Sequence, residues 1–192
     1  MAAALTKQAI YSSFLGFLEK KPLDKITVKD IVDDCKINRK TFYYYFSDIY
    51  AMTEELFRDK LAQIRENLPP GEYSWLEAMK ESSGFMFKNK KMALHVFKSV
   101  GYEKMSNLIY ETCLEYLPPL IEETADGLSI SESDMKLIVK YGAISISGMI
   151  ARWLEEEMQD EPGEMIERFD LIMKGTLRLA LENADRLNKS RT

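Results

Sequence analysis

The chain has 192 residues, 46% of them hydrophobic and 30% charged, with only nine glycines and six prolines. This length is ample for a hydrophobic core in one or two domains, and the composition excludes a disordered chain and favours helix throughout. Its two cysteines, Cys35 and Cys113, are too few for a disulfide framework. The sequence pattern also indicates no signal peptide and no membrane span, so we expect a cytoplasmic protein without a membrane partner.

The net charge of −5 is unevenly distributed. Residues 1–50 carry eight Lys or Arg and six Asp or Glu, an excess of 8 − 6 = +2, whereas the remaining residues carry 18 and 25, which gives −7. The basic excess therefore lies at the N-terminal end, where a phosphate-binding surface would need it. An excess of +2 is too small to carry that inference alone.

Two helices are predicted before residue 36. The first is indicated by Ile10, Phe14, Phe17 and Leu18, which share one helix face, and it ends before Lys21-Pro22. The second is short and begins after Thr27, because a Thr followed three residues later by Asp30 resembles a capping box.

A third and a fourth helix follow. Asn38 is a good N-cap for a short helix over Arg39–Tyr45. Ser47 or Asp48 caps a long helix whose apolar face contains Ile49, Met52, Leu56, Leu61 and Ile64.

The best domain boundary is the breaker cluster Asn67-Leu68-Pro69-Pro70-Gly71, which predicts domains over 1–66 and 72–192. The second domain reads as further helices. They are predicted at about 74–88, 90–99 and 102–117, with a break at Pro118-Pro119, then at 119–125, from Ser131 to Met158, and from Asp160 and Pro162 to about Leu187.

The segment Thr27–Phe46 predicts a helix-turn-helix, in which the second helix lies in the major groove of DNA. Arg39 and Lys40 match the acceptors of guanine, and Thr41 suits a phosphate or a thymine methyl group. The candidate phosphate contacts come from the cap of the second helix and from three tyrosine hydroxyls. The full candidate DNA-binding set is Thr27, Asn38, Arg39, Lys40, Thr41, Tyr43, Tyr44 and Tyr45. Phe42 and Phe46 are expected in the core.

Residues 5–66 resemble the DNA-binding domain of TetR/AcrR-type regulators. The resemblance rests on the opening amphipathic helix, on Thr-Val-Lys-Asp-Ile at 27–31 and on Thr-Phe-Tyr-Tyr-Tyr-Phe at 41–46. It implies an all-α fold with an N-terminal three-helix helix-turn-helix domain and a helical ligand-binding and dimerisation domain. It also implies a homodimer that binds double-stranded operator DNA and a repression that an unknown small-molecule effector relieves.

The sequence departs from the family pattern in three places. Cys35-Lys36 stands where the family usually has Ala-Gly in the turn, and a Lys in a left-handed conformation costs about 1 kcal/mol relative to Gly. Lys40 replaces a residue that is usually small, and its charge can add a specific contact. Ile49 replaces a Lys that often contacts phosphate.

The second domain offers two candidate surfaces. Small residues allow helices to approach closely, and together with the last helix they predict a four-helix dimer interface that includes Gly142, Ser145, Gly148, Phe169 and Leu177. Aromatic and Met side chains with polar tips predict an effector pocket lined by Phe85, His95, Tyr102, Tyr110, Met149 and Trp153. Ordinary core packing explains either pattern equally well at single positions.

The sequence shows no glycine-rich phosphate loop, nucleophile elbow or paired-acid motif, so no enzyme, catalytic residue or cofactor is predicted. No cluster has the spacing of metal ligands. The alternative function is a helical ligand-binding or scaffolding protein that has lost specific DNA binding, an interpretation favoured by Ile49 and by the small basic excess.

Overall fold

The computed structural model describes residues 2–67 and 75–190, and these form nine α-helices, a short 3-10 turn at Leu23–Lys25 and no strand. The predicted all-α fold is therefore confirmed. The helices are α1 (Ala2–Leu18), α2 (Val28–Asp34), α3 (Arg39–Tyr45), α4 (Ile49–Asn67), α5 (Trp75–Lys88), α6 (Lys90–Val100), α7 (Tyr102–Thr124), α8 (Glu132–Glu155) and α9 (Pro162–Lys189).

The caps that were read from the sequence begin the helices where they were expected. Asn38 accepts from the backbone N–H of Thr41, so α3 has its predicted bounds. The Asp48 side chain accepts from the N–H of Ala51 at the start of α4. One cap differs, because Glu161 rather than Asp160 precedes Pro162 and accepts from the N–H of Gly163.

The predicted helix break at Pro118-Pro119 is wrong, because α7 continues through both prolines to Thr124. Proline removes a backbone donor but has the φ of a helix, so a helix can continue where its other contacts hold it. Leu117 and Ile121, which flank the pair, are both buried in the core. Burial of these side chains on either side offsets the lost backbone hydrogen bonds.

Two hydrophobic cores organise the chain. The first lies among α1, α2, α3 and the start of α4, where Ile10, Phe14, Ile31, Phe42 and Met52 are fully buried. The second core is built mainly by α7 and α8, which α5 and α9 cover. The division into domains over 1–66 and 72–192 stays a prediction, because its boundary includes residues 68–71, which lie outside the described residues.

Helix α6 contacts both cores. Met92, Val96 and Val100 pack against the first core, whereas Phe97 is buried in the second. The C-terminal domain is therefore attached to the N-terminal one along a whole helix.

Among the described residues, α8 is long and apolar enough to cross a membrane by length and composition. However, 56% of its most apolar window is buried inside the protein. Burial of this extent is typical of a helix in a protein core.

Candidate DNA-binding surface and effector cavity

The capping box at the start of α2 fixes the first half of the helix-turn-helix. The Thr27 hydroxyl accepts from the N–H of Asp30 at 3.1 Å, and the Asp30 carboxylate accepts from the Thr27 N–H at 2.8 Å. Lys21 Nζ also donates to this carboxylate at 2.9 Å. The bond from Lys21, followed by the bonds from Thr27, lowers the pKa of Asp30 to about 2. Because the Thr27 hydroxyl itself donates to Asp30 at 2.9 Å, it would have to rotate in order to donate to a phosphate.

The turn between α2 and α3 takes the left-handed conformation that was expected for Lys36. Its φ is 54°, a region that glycine occupies at little cost. Lys36 is exposed, so its charge stays in solvent while its backbone carries the strain.

Helix α3 separates an inner from an outer face. Phe42 and Phe46 are buried, as expected, and hold the helix against the first core. On the outer face the side chains of Tyr43 and Tyr44 are 54% and 80% exposed. Aromatic side chains with this exposure contribute little to folding, so they are available for a partner.

Basic residues open the same helix. Arg39 and Lys40 are exposed, and neither forms an ion pair with any part of the chain that the structure describes. The Thr41 hydroxyl donates to Asn38 at 3.1 Å, so both polar side chains belong to the cap of the helix. The Tyr45 ring is half-buried and packs edge-on against Tyr44 at 5.0 Å. Seven of the eight predicted DNA-binding residues thus lie on α3 or at its N-cap, and the eighth, Thr27, is the N-cap of α2.

Ile49, which departs from the family pattern, is a core residue. Its side chain is 9% exposed and packs in the first core. Its apolar side chain cannot donate to a phosphate, and it belongs instead to the core of the part of the chain from α1 to the start of α4, which we call the reader domain.

An apolar cavity of about 110 Å³ lies among α4, α5, α7 and α8. Helix α4 contributes Phe57, Leu61 and Ile64, and α8 contributes Ile146 and Ile150. The remaining lining residues are Trp75, Ala78, Met79, Ser82, Ser83 and Met86 from α5, and Ile109, Thr112, Cys113, Tyr116 and Leu117 from α7.

The polar groups of this cavity are nearly all satisfied. Ser82 donates to the carbonyl of Ala78 at 2.7 Å, and Thr112 donates to that of Leu108 at 2.8 Å. Burial raises the pKa of the Cys113 thiol to about 12, so it stays neutral. Ser83 is the exception, since its hydroxyl is buried and has no hydrogen-bond partner among the described residues.

None of the six predicted pocket residues lines this cavity. Trp153 is buried, stacks on Phe87 at 6.3 Å and donates from Nε1 to the carbonyl of Asp160. His95 faces the end of α1, where its Nδ1 lies 2.7 Å from the carbonyl oxygen of Leu18.

The other four predicted pocket residues also lie outside the cavity. Phe85 and Tyr102 are exposed, and Lys60 lies 4.6 Å from the Phe85 ring. Tyr110 is half-buried beside the second core. Met149 lines a separate open groove with Ile172. The predicted pocket residues lie on α5 to α8, whereas the cavity is also lined by α4 and, on α5, by both large and small side chains. The pair Ser82-Ser83, placed among Met and Phe, was the pattern that could have indicated it.

Of the predicted dimer residues, Gly142, Phe169 and Leu177 pack within the chain, whereas Gly148 faces open space and Ser145 hydrogen-bonds within its own helix. Gly142 is buried within the chain, where a Cβ would lie 3.4 Å from Leu117, so it serves the packing of α7 on α8. Phe169 and Leu177 are half-buried and pack against the second core. Gly148 has nothing within 4 Å of a Cβ position, and the Ser145 hydroxyl donates to the carbonyl of Tyr141.

Exposed apolar side chains instead mark the unpartnered faces of the last two helices. On α8 these are Leu137, Tyr141 and Ile144, which are spaced by one helical turn and lead to Gly148. On α9 they are Leu171, Ile172 and Leu179. Near these faces, Met149 of α8 and Ile172 of α9 line one open groove.

Comparison with known proteins decides the family. Residues 73–175, more than half of the chain, match the family TetR_C_8, which is described as a transcriptional regulator C-terminal region. The chain belongs to the TetR family of transcriptional regulators. The match in the C-terminal half of this regulator thus agrees with the family that its N-terminal motifs resemble.

One solved structure supports the fold of the regulator. A protein described as the dihydroxyacetone kinase operon activator DhaS has a TM-score of 0.62 and 16% identity, with 92% of this chain and 98% of that chain covered. A second structure, of a TetR family transcriptional regulator from Chloroflexus aurantiacus J-10-FL, has 15% identity and a TM-score of 0.41, with 95% of this chain and 93% of that chain covered. No curated protein sequence matches the chain.

Proposed function

We propose that this regulator is a cytoplasmic homodimeric repressor that binds double-stranded operator DNA through α3 and is released by a small-molecule effector. The observation that carries the DNA-binding role is the outer face of α3. It presents Arg39, Lys40, Tyr43 and Tyr44 to solvent from a helix that Phe42 anchors in the core. Basic side chains at the start of a rigidly anchored helix suit the reading of base edges, and tyrosine hydroxyls suit phosphates.

Helix α4 supports the coupling between effector and DNA. Its first turns belong to the reader domain, where Met52 is fully buried, and Phe57, Leu61 and Ile64 then line the cavity. A ligand that enlarges the cavity must displace one of its walls, and α4 is the wall that begins in the reader domain. Coupling of this kind is limited to the difference in effector affinity between the two arrangements, typically about 1–3 kcal/mol.

The exposed faces of α8 and α9 support the homodimer. Leu137 and Ile144 are 66% and 60% exposed in the single chain, and Leu171 is 75% exposed. Exposed apolar side chains on neighbouring turns of a helix are typical of a protein interface, and a two-fold pairing of α8 and α9 would bury them in a four-helix arrangement. Two reader domains would then address two half-sites.

The proposal can be tested with a reporter gene that is placed under the control of the operator, once genomic DNA bound by the purified protein has been captured and sequenced. Expression should rise when the regulator is deleted, and an effector found by screening should both bind the protein and release the DNA in vitro. The structural neighbour is described as an activator, so expression is scored in both directions. A fall in reporter expression when the regulator is deleted would contradict the repressor role but not the proposal that the protein binds DNA.

The alternative, a helical ligand-binding protein without specific DNA binding, makes a different prediction in a salt titration. The repressor should prefer its operator over random DNA at about 150 mM salt, where bare phosphate attraction is weakened. Equal affinity for both sequences at every salt concentration would favour the alternative.

A further inference from the structure

The hydroxyl of Ser83 is a buried polar group that folding leaves unused. Its residue is 1% exposed, its oxygen has no hydrogen-bond partner among the described residues, and it lines the cavity. The preceding Ser82 lines the same cavity but donates to the carbonyl of Ala78 at 2.7 Å. Buried polar groups are normally paired, and each exception calls for an explanation.

The rest of the lining defines what can enter. Among the side chains that the structure describes, those that line the cavity are uncharged, and most of them are Ile, Leu, Met, Phe or Trp. The Cys113 thiol is held neutral by its burial. An ion that is buried among these side chains would lose hydration without gaining a partner charge, so the lining favours neutral ligands.

The size of the cavity is also restrictive. Its volume is about 110 Å³, whereas an engineered apolar cavity of about 150 Å³ binds benzene. Met79 and Met86 line the cavity, and methionine side chains repack readily, so a single ring can be admitted after a small adjustment. Water is a poor occupant, because it needs two to four polar partners and Ser83 supplies one free hydroxyl.

We propose that the effector is a neutral, mainly apolar molecule of about one ring, whose single polar group hydrogen-bonds to the Ser83 hydroxyl. This inference rests on the proposed function only in treating the cavity as the effector site. Ser83 thereby selects among apolar molecules, because a ligand without a polar group leaves its hydroxyl unpaired.

The test measures binding of three probes, phenol, toluene and benzoate, to the full chain by calorimetry in the absence of DNA. Ser83→Ala should weaken phenol binding about fivefold, the value of one neutral hydrogen bond, and leave toluene binding unchanged or tighter. Ser82→Ala is the matched control and should leave the ratio of the phenol and toluene affinities unchanged. Benzoate should show no saturable binding.

A second measurement needs no variant. With methyl-labelled wild-type protein, phenol should shift the NMR signals of Met79 and Met86 but not that of Met52, which is buried in the other core. Equal effects of Ser83→Ala on phenol and toluene, benzoate binding as tight as that of phenol, or no binding of either neutral probe would overturn the inference. Because no DNA is present, a protein that binds phenol but never releases its operator would contradict the proposed function alone.

Discussion

The ring nitrogen Nδ1 of His95 lies 2.7 Å from the carbonyl oxygen of Leu18, the last residue of α1. Because a carbonyl oxygen can only accept, this nitrogen carries the proton. A second bond lies close by, where the N–H of Asp24 donates to the Ser99 hydroxyl at 3.3 Å. The first bond joins α6 to the end of α1 and the second joins it to the 3-10 turn at Leu23–Lys25, and Met92 and Val96 of α6 add apolar contacts to the same core.

Replacement of His95 by Ala should therefore loosen the attachment of the reader domain. The expected loss is about 1 kcal/mol in the free energy of unfolding, the contribution of one hydrogen bond. The coupling between effector and DNA should fall as well, measured as the ratio of operator affinities with and without effector. The control is Lys91→Ala, an exposed position on the same helix. A His95→Ala protein with unchanged stability and unchanged coupling would contradict this role.

Single replacements on α3 should separate base contacts from phosphate contacts. Arg39→Ala and Lys40→Ala should each weaken operator binding by roughly 1–3 kcal/mol if a bidentate base contact is lost, with a smaller effect on random DNA. Thr27→Ala, Tyr44→Phe and Tyr45→Phe should weaken binding to both DNAs about equally. Lys136→Ala, an exposed lysine of α8, is the control. Wild-type operator affinity in both basic variants would contradict the assignment of α3.

The strain at Lys36 predicts a stabilising substitution. Lys36→Gly should raise the free energy of unfolding by up to about 1 kcal/mol, because φ is 54° and glycine adopts this conformation without penalty. Lys36→Ala separates charge from backbone, since it removes the charge but keeps the Cβ, and it should not stabilise. Chemical denaturation of the three proteins measures the effect. Equal stabilisation by Ala and Gly would attribute it to the charge instead.

The low pKa of Asp30 predicts a pH dependence of stability. Its pKa falls from an ordinary 3.8 to about 2 in the folded chain, so the ionised form stabilises the fold above pH 4. This contribution is lost as the pH falls from about 4 toward 2. Asp30→Asn should cost about 1 kcal/mol at pH 7 through the weakened cap, and its difference from wild type should shrink across that window. Asp34→Asn, an exposed acid on the same helix, is the control, and a difference that stays constant down to pH 2 would contradict the pKa assignment.

Charges placed on the exposed faces of α8 and α9 should disrupt the proposed dimer. Ile144→Glu or Leu171→Glu should weaken the dimer at least about tenfold, because a carboxylate would be buried without a partner. The stability of the single chain should change little, since both positions are exposed in it. Sedimentation at several concentrations measures the dimer, and Asn107→Glu on α7 is the control. Dimers as tight as wild type in both variants would locate the interface elsewhere.

The parts of this molecule that follow local rules could be predicted from the sequence. The Thr27, Asn38 and Ser131 caps and the bounds of α3 depend on residues within one turn, and each is found as expected. The burial of Phe42 and Phe46 followed from helical spacing. The continuation of α7 through Pro118 did not, because tertiary burial of Leu117 and Ile121 outweighs a local preference.

The cavity and the exposed faces could not be predicted, because they depend on which helices become neighbours. Gly142 and Gly148 look alike in sequence, yet one packs on Leu117 and the other is open. In the same way, Ser82 and Ser83 are identical neighbours, yet Ser82 is half-buried and donates to the carbonyl of Ala78, whereas Ser83 is buried and its hydroxyl has no partner among the described residues. His95 is a plausible pocket residue by type, and only the packing of α6 on α1 assigns it to a domain contact.

The most direct test of the central claim, sequence-specific DNA binding through α3, is capture of fragmented genomic DNA by the purified protein at about 150 mM salt. The captured fragments are sequenced for wild type and for the double variant Arg39→Ala/Lys40→Ala. We predict that wild type enriches a few sites containing two related half-sites, and that the double variant enriches none of them. Enrichment of the same sites by both proteins, or of no site by wild type, would contradict the claim.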